Sequence, residues 1–174
     1  VAYIIGFPFD TPDSVGQDIR RLTDELGPEQ ASFFMLTPLP GSQDHQELVQ
    51  RGAWLDHDLN RYDSFQSTTT HPRMSREAWT RAYQEAWASF YSADNMKRIL
   101  QRVSPENYWA VFANFIWYQH AIMVEQGHPM IHGFVRLKGR LARRPGLPIE
   151  TRRRYLRRRL GDLRRYLLLW PRLA

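Results

Sequence analysis

Few side chains in these 174 residues are placed to do chemistry by themselves. There is no cysteine, which excludes disulfides and thiolate metal sites within this stretch. His128 and His132 stand i, i+4 and would share a helix face, but neither a third ligand nor the Glu of a His-Glu-x2-His motif accompanies them. Asp56-His57-Asp58-Leu59-Asn60 begins like a calcium loop. Its sixth position is Arg61 where Gly is needed and its twelfth is Ser67 where Glu is needed, so it reads as a surface connection. His71 lies in a Pro-containing loop, where a histidine either handles a proton or simply hydrogen-bonds the loop. His120 reads as a partly buried polar residue on an aromatic helix.

The stretch with the most chemical promise is Ile4-Ile5-Gly6-Phe7-Pro8-Phe9-Asp10-Thr11. Gly6 lacks a Cβ, so the chain there can turn sharply or let a flat ligand lie against it. Pro8 fixes φ and offers no ladder donor, so a strand must end before it. Asp10 has the short carboxylate that holds a loop through backbone N–H groups or caps a helix. Thr11 followed by Pro12 is a helix start.

The elements that position this loop follow from periodicity. Residues 1–5 are an apolar run and predict a buried strand. Val15, Ile19, Leu22 and Leu26 fall on one face of a helix over 12–26, stopped by Gly27-Pro28. Residues 31–36 predict a second strand. Strand, helix, strand is a βαβ unit with parallel strands and a right-handed crossover, hence an α/β fold. The loops at 6–11 and 37–42 then emerge at one carboxyl rim, where α/β barrels keep their active sites. A short helix is predicted over 43–51 and an edge strand over 62–70. Ser75 can cap the helices expected across 75–103, whose Trp79, Tyr83, Ala86, Trp87, Phe90 and Tyr91 form an aromatic stripe suited to core packing. Ser104-Pro105-Glu106 predicts the start of another helix, apolar nearly all round from Tyr108 to Tyr118. Such a helix is buried, meets a partner or lines an apolar substrate channel.

Residues 4–11 resemble the GFPGET segment of radical S-adenosylmethionine enzymes, with Phe9 where Gly is commoner and Asp10 where Glu is. Thr37-Pro38-Leu39-Pro40-Gly41-Ser42, some thirty residues on, resembles the TPLPGT that follows in the same families. Tyr62-Asp63 followed by His71-Pro72-Arg73-Met74-Ser75 resembles the end of the barrel region in their cobalamin-binding group. The resemblance implies the carboxyl-terminal part of a partial (β/α)6 barrel over 1–74, an aromatic helical extension over 75–135 and a basic amphipathic region over 136–174. It also implies that the chain is a fragment of a longer protein. In this family a [4Fe–4S] cluster on a Cys-x3-Cys-x2-Cys motif cleaves S-adenosylmethionine reductively, and the resulting radical abstracts hydrogen from a substrate. That motif would lie upstream of Val1, as would any cobalamin domain. By the same resemblance Ile5, Gly6, Phe7 and Pro8 pack against the adenine of the cofactor. Asp10 holds the loop, and Thr37, Pro38, Pro40 and Gly41 shape the adjacent rim. Related methylthiotransferases carry a similar strand, so an RNA-modifying protein is the alternative function.

Composition narrows the class further. Hydrophobic residues make up 43% of the chain and aromatic residues 13%, which excludes a disordered chain. No apolar run reaches the roughly twenty residues needed to span a bilayer, and no signal peptide is visible. From Arg136 onward there are fourteen Arg or Lys against Glu150 and Asp162, a net +12, which leaves −6 before it. Arg143-Arg144-Pro145-Gly146-Leu147-Pro148 reads as a hinge, with Pro148 in the first turn of a last helix. On that helix Leu156, Leu160, Leu163, Leu167 and Trp170 share one face and Arg covers the rest, the pattern of a helix lying in a membrane interface. A cytoplasmic protein with peripheral contact at the inner membrane face and a small or lipid-like substrate is the expectation. Nucleic acid competes as the anionic partner.

Overall fold

The computed structural model describes residues 1–133, 139–141, 146 and 148–172. It is a mixed α/β chain in two compact units, Val1–Asn95 and Met96–Ala174.

The first unit is built on two parallel strands, β1 (Ala2–Ile5) and β2 (Ser32–Met35), with Ile4 beside Phe34 and Ile5 beside Met35. Between them runs α1 (Pro12–Arg21), opened by a reciprocal cap. Thr11 Oγ1 accepts from Ser14 N–H at 3.1 Å while Ser14 Oγ accepts from Thr11 N–H at 2.9 Å. The predicted regular helix to residue 26 is corrected at its end. Leu22–Leu26 form a wider π turn that closes on Gly27. Because that turn bonds i to i+5, it shifts the phase of the stripe, and Leu26 is exposed while Val15, Ile19 and Leu22 are buried.

One face of the sheet is core. Ile5, Phe33 and Met35 point into it and meet α3 (Arg76–Phe90), capped by Ser75, whose hydroxyl accepts from Ala78 N–H at 3.1 Å. The aromatic stripe of α3 is this core. Trp87 stands edge-on to Phe33 with centroids 5.1 Å apart, and Phe90 meets the same ring at 5.9 Å. The opposite face carries Ile4 and Phe34, and Ile4 is exposed. Parallel sheets are ordinarily covered on both faces, and here the second face is covered only in part, Phe34 being half-buried.

The second loop leads into α2 (Gln43–Gln50), capped by Ser42. The edge strand predicted over 62–70 does not form. Asp63 Oδ1 accepts from Phe65 N–H at 3.0 Å and Ser64 takes φ +63°, so the segment turns where it would need to run extended. Its pairing is one bridge, Leu55 with Thr69, and one bond from Met35 N–H to Ser64 O at 2.7 Å.

The second unit is helical: most of α4 (Ala93–Arg102), α5 (Tyr108–Gln119) with a π turn at His120–Val124, and α6 (Arg152–Leu167). The Ser104 cap is corrected. Ser104, Pro105 and Glu106 form a separate turn closed by Asn107 N–H on Ser104 O at 3.0 Å, and α5 begins after it. Phe112, Phe115 and Ile116 of α5 are buried, whereas Trp109 is exposed, so the helix is not buried all round. The start of α6 is corrected too. Pro148 precedes the helix and is not in its first turn; Thr151 caps it, accepting from Arg154 N–H at 3.3 Å. Of the predicted hinge, residues 143–145 and 147 lie outside the described residues, as does Arg136, where the basic region begins.

Candidate functional site

Both loops leave the carboxyl ends of the strands side by side, since Leu36 N–H donates to Ile5 O at 2.8 Å. In the first loop the carboxylate and backbone groups of Asp10 hold the loop itself. Asp10, 5% exposed, accepts on one carboxylate oxygen from Gly6 N–H at 2.8 Å and Phe7 N–H at 2.9 Å. Its own N–H donates to Phe7 O at 2.8 Å. The loop-holding role expected of Asp10 is what the geometry displays.

The close approach expected at Gly6 is also present, but the flat group is the protein's own. Gly6 takes φ +117°, and a Cβ there would sit 2.2 Å from Cζ2 of Trp79. The same indole donates from Nε1 to Ile5 O at 3.1 Å. Gly6 is therefore the seat of a tryptophan from α3, and Ile5 is fully buried beneath it.

His71 and Arg73 also strap the loop, the His71 ring lying 5.3 Å from that of Trp79. His71 Nδ1 accepts from Arg73 N–H at 3.1 Å and Met74 N–H at 3.0 Å, so its proton is on Nε2, which donates to Phe7 O at 2.8 Å. Arg73 Nη1 donates to Phe9 O at 3.2 Å. Both ring nitrogens of His71 are thus committed, and the proton-handling reading of this residue loses to the loop-bonding one.

What faces outward is apolar. Phe7 and Phe9 stack with centroids 5.7 Å apart and planes at 4°, and Phe9 is 67% exposed. Pro8 is exposed beside them. In the second loop Thr37 Oγ1 donates to Met35 O at 3.0 Å and Pro38 is buried, while Leu39, Pro40 and Gly41 are exposed. On the second sheet face Phe34 stacks on Phe65 at 6.2 Å, next to Ile4. The nine residues singled out from the sequence thus divide in two. Ile5, Gly6, Asp10, Thr37 and Pro38 form the frame, whereas Phe7, Pro8, Pro40 and Gly41 form the surface. Sequence reasoning missed Arg73 and Trp79 as parts of this loop. Trp79 was legible only as one member of a core stripe, and no local signal ties it to a glycine 73 positions earlier.

The outward surface of this rim is apolar, and among the described residues its Asp10, Thr37 and His71 are bonded within the protein. Among the described residues no group of three His, Asp or Glu is placed to hold a metal ion. Asp56 of the failed calcium template is instead bonded by Arg61 at 3.1 Å and Arg76 at 3.6 Å, and Arg76 lies 4.7 Å over the Trp54 ring. His128 and His132 share a single turn, His132 N–H donating to His128 O at 2.9 Å, and His128 Nδ1 accepts from Met130 N–H. No helix of the described residues is long and apolar enough to cross a membrane. The chain matches no family model, no curated protein and no solved structure.

Proposed function

We propose that these residues are the carboxyl-terminal part of a radical S-adenosylmethionine enzyme of the cobalamin-binding type, acting in the cytoplasm on an apolar or lipid-like substrate. The observation that carries the reading is the partly covered apolar face of a parallel sheet meeting two loops at one carboxyl rim. Ile4 and Phe34 lie on that face, and Phe7, Pro8, Phe9, Leu39 and Pro40 extend it outward. A parallel sheet with a partly uncovered apolar face is completed by further strands or by a ligand. In a part-built barrel this face would be the lumen.

The fit to the implied groups differs between them. A nucleoside suits the rim, because the outward residues are apolar and the loop backbone is held rigid by Asp10, His71, Arg73 and Trp79. An iron–sulfur cluster does not suit these 174 residues, which contain no cysteine. Its ligands, and any cobalamin, would be held elsewhere in a parent chain. Bound S-adenosylmethionine and the reduced cluster would supply the hydrogen-abstracting oxidant. The residues present would orient the nucleoside, keep water from the reacting centre and give the substrate an apolar wall.

The test has two stages. The parent open reading frame is expected to contain Cys-x3-Cys-x2-Cys ahead of Val1. The anaerobically reconstituted parent protein is then expected to release 5′-deoxyadenosine from S-adenosylmethionine when reduced. A parent frame lacking the triplet, or a reconstituted protein that leaves S-adenosylmethionine intact, overturns the reading.

A further inference from the structure

The three faces of α6 differ in kind. Asp162 is buried and bonded by Arg165 at 2.8 Å, Arg159 at 3.4 Å and Arg158 at 3.8 Å. Tyr166, four residues on, lies against His120 with centroids 5.7 Å apart, and Leu169 is buried one turn later. This inward face is ionic and aromatic. The leucine stripe is a different face, and it is bare: Leu156 is 58% exposed, Leu160 65% and Leu167 53%. Beside it runs a cationic row. Arg153, Arg154, Arg157 and Arg164 have no acidic partner among the described residues. Both acids of this region are already held by other arginines, Glu150 by Arg158 at 2.9 Å and Asp162 as above. Arg154, Arg157 and Arg164 also line an open depression next to Gly161.

We propose that α6 is a docking surface for an anionic phospholipid bilayer, lying flat with its leucines among the acyl chains and its unneutralised arginines at the headgroups. Charge complementarity selects the occupant. A phosphate-rich polymer would satisfy the arginines but leave three leucines in water, whereas an anionic bilayer supplies apolar and negative layers together. At 16 residues the helix is about 24 Å long, so it presents both strips along a line parallel to a membrane plane. Trp170, just past its end, packs edge-on to Phe112 with centroids 5.4 Å apart and is not part of this outward surface. The inference is independent of the proposed chemistry, since no substrate or cofactor enters it.

The experiment is flotation of the 174-residue chain with vesicles of phosphatidylcholine alone and of phosphatidylcholine with about 30% phosphatidylserine, a content chosen to give a clearly negative surface. The chain is expected to float with the anionic vesicles only. The triple variants Leu156→Ser/Leu160→Ser/Leu167→Ser and Arg153→Gln/Arg157→Gln/Arg164→Gln are each expected to lower the bound fraction by about tenfold or more. Both alter exposed residues only, and unchanged urea midpoints would show that they fold. A wild-type chain that does not float overturns the proposal. So does leucine-triple binding equal to wild type. Binding of single-stranded RNA that falls steeply with salt and ignores the leucine triple, without flotation, would assign the surface to nucleic acid instead.

Discussion

Helices α3 and α6 carry apolar residues at the same helical spacing and put them to opposite uses. In α3 the stripe of Trp79, Tyr83, Trp87 and Phe90 is buried against the sheet. In α6 the stripe of Leu156, Leu160 and Leu167 faces outward, and the face turned inward carries a buried carboxylate. Periodicity therefore defines a face but not the partner that covers it. The partner is decided by what else the helix carries. Beyond Arg76 at its start, the polar residues Arg81, Gln84 and Glu85 of α3 lie exposed, and its rings go in. Asp162, bonded by three arginines, fixes the rotation of α6 the other way. An uncompensated carboxylate could not be buried, and those arginines make its burial tolerable.

The widest gap between the two helices should appear on truncation. Trp87→Ala removes a ring that is 2% exposed and in contact with Phe33, and is expected to cost about 3–5 kcal/mol by urea unfolding. Leu160→Ala, at an exposed position, is expected to stay within about 0.5 kcal/mol of wild type. Comparable losses at the two positions would erase the contrast.

Next in size is the contact that joins α3 to the rim. Gly6→Ala places a Cβ 2.2 Å from the Trp79 ring and holds a non-glycine residue at φ +117°. The expected loss is about 2–4 kcal/mol of stability. Combined with Trp79→Leu, which empties part of the core and is costly by itself, the loss should be smaller than the sum of the two single losses, because the smaller side chain relieves the steric conflict and leaves only the backbone strain. If Gly6→Ala melts like wild type, the indole is not seated on this glycine.

Much of this frame was legible in advance. Parallel strands, loops at one rim and the caps at Thr11 and Ser75 all follow from local residue chemistry acting over three or four positions. What was illegible is long-range or depends on phase. The seating of Trp79 on Gly6 joins segments far apart in the chain, and the same device recurs where Gly133 at φ +113° lies under Trp117, whose Nε1 donates to His132 O at 2.9 Å. The π turn at Leu22–Leu26 rotates Leu26 off its stripe, a shift that a 3.6-residue period cannot anticipate. The inward face of α6 was hidden because its leucines, not its single aspartate, dominate the pattern. At the candidate site, residue types identified the loop, but only the hydrogen bonds separate Asp10 and His71, which hold it, from Phe7 and Phe9, which face outward.

The ionic face of α6 can be broken directly. Asp162→Asn leaves Arg158, Arg159 and Arg165 without this carboxylate. Full burial of the pair would imply a larger loss, but the Arg165 side chain is 55% exposed and water screens it, so about 1–2 kcal/mol is expected. Asp162→Leu should be at least as costly if the inward face is polar. A gain in stability with Leu would mean that this face prefers apolar contact, and the distinction from α3 would narrow.

The smallest effect is the most diagnostic of that inward face, because it reads His120, the ring against Tyr166. Burial lowers the pKa of His120 below its ordinary 6.5, and the nearby Arg165 acts in the same direction, while Glu125 and Asp162 oppose them. A histidine whose folded pKa is depressed binds its proton less readily when folded than when unfolded. Above about pH 6.5 neither state is protonated there, so stability is unaffected by this group. As pH falls below that value the unfolded chain takes up a proton that the folded one refuses, and stability declines until the folded pKa is reached. The decline from one such group is at most about 1.4 kcal/mol per pH unit. Urea midpoints of wild type and His120→Asn between pH 7.5 and 5.5 isolate it, since every other titrating group is common to both chains. Wild type is expected to lose stability faster on acidification than the variant. Parallel pH profiles would mean that His120 is solvated in the fold, and the face of α6 that packs on it would not be the closed, ionic one.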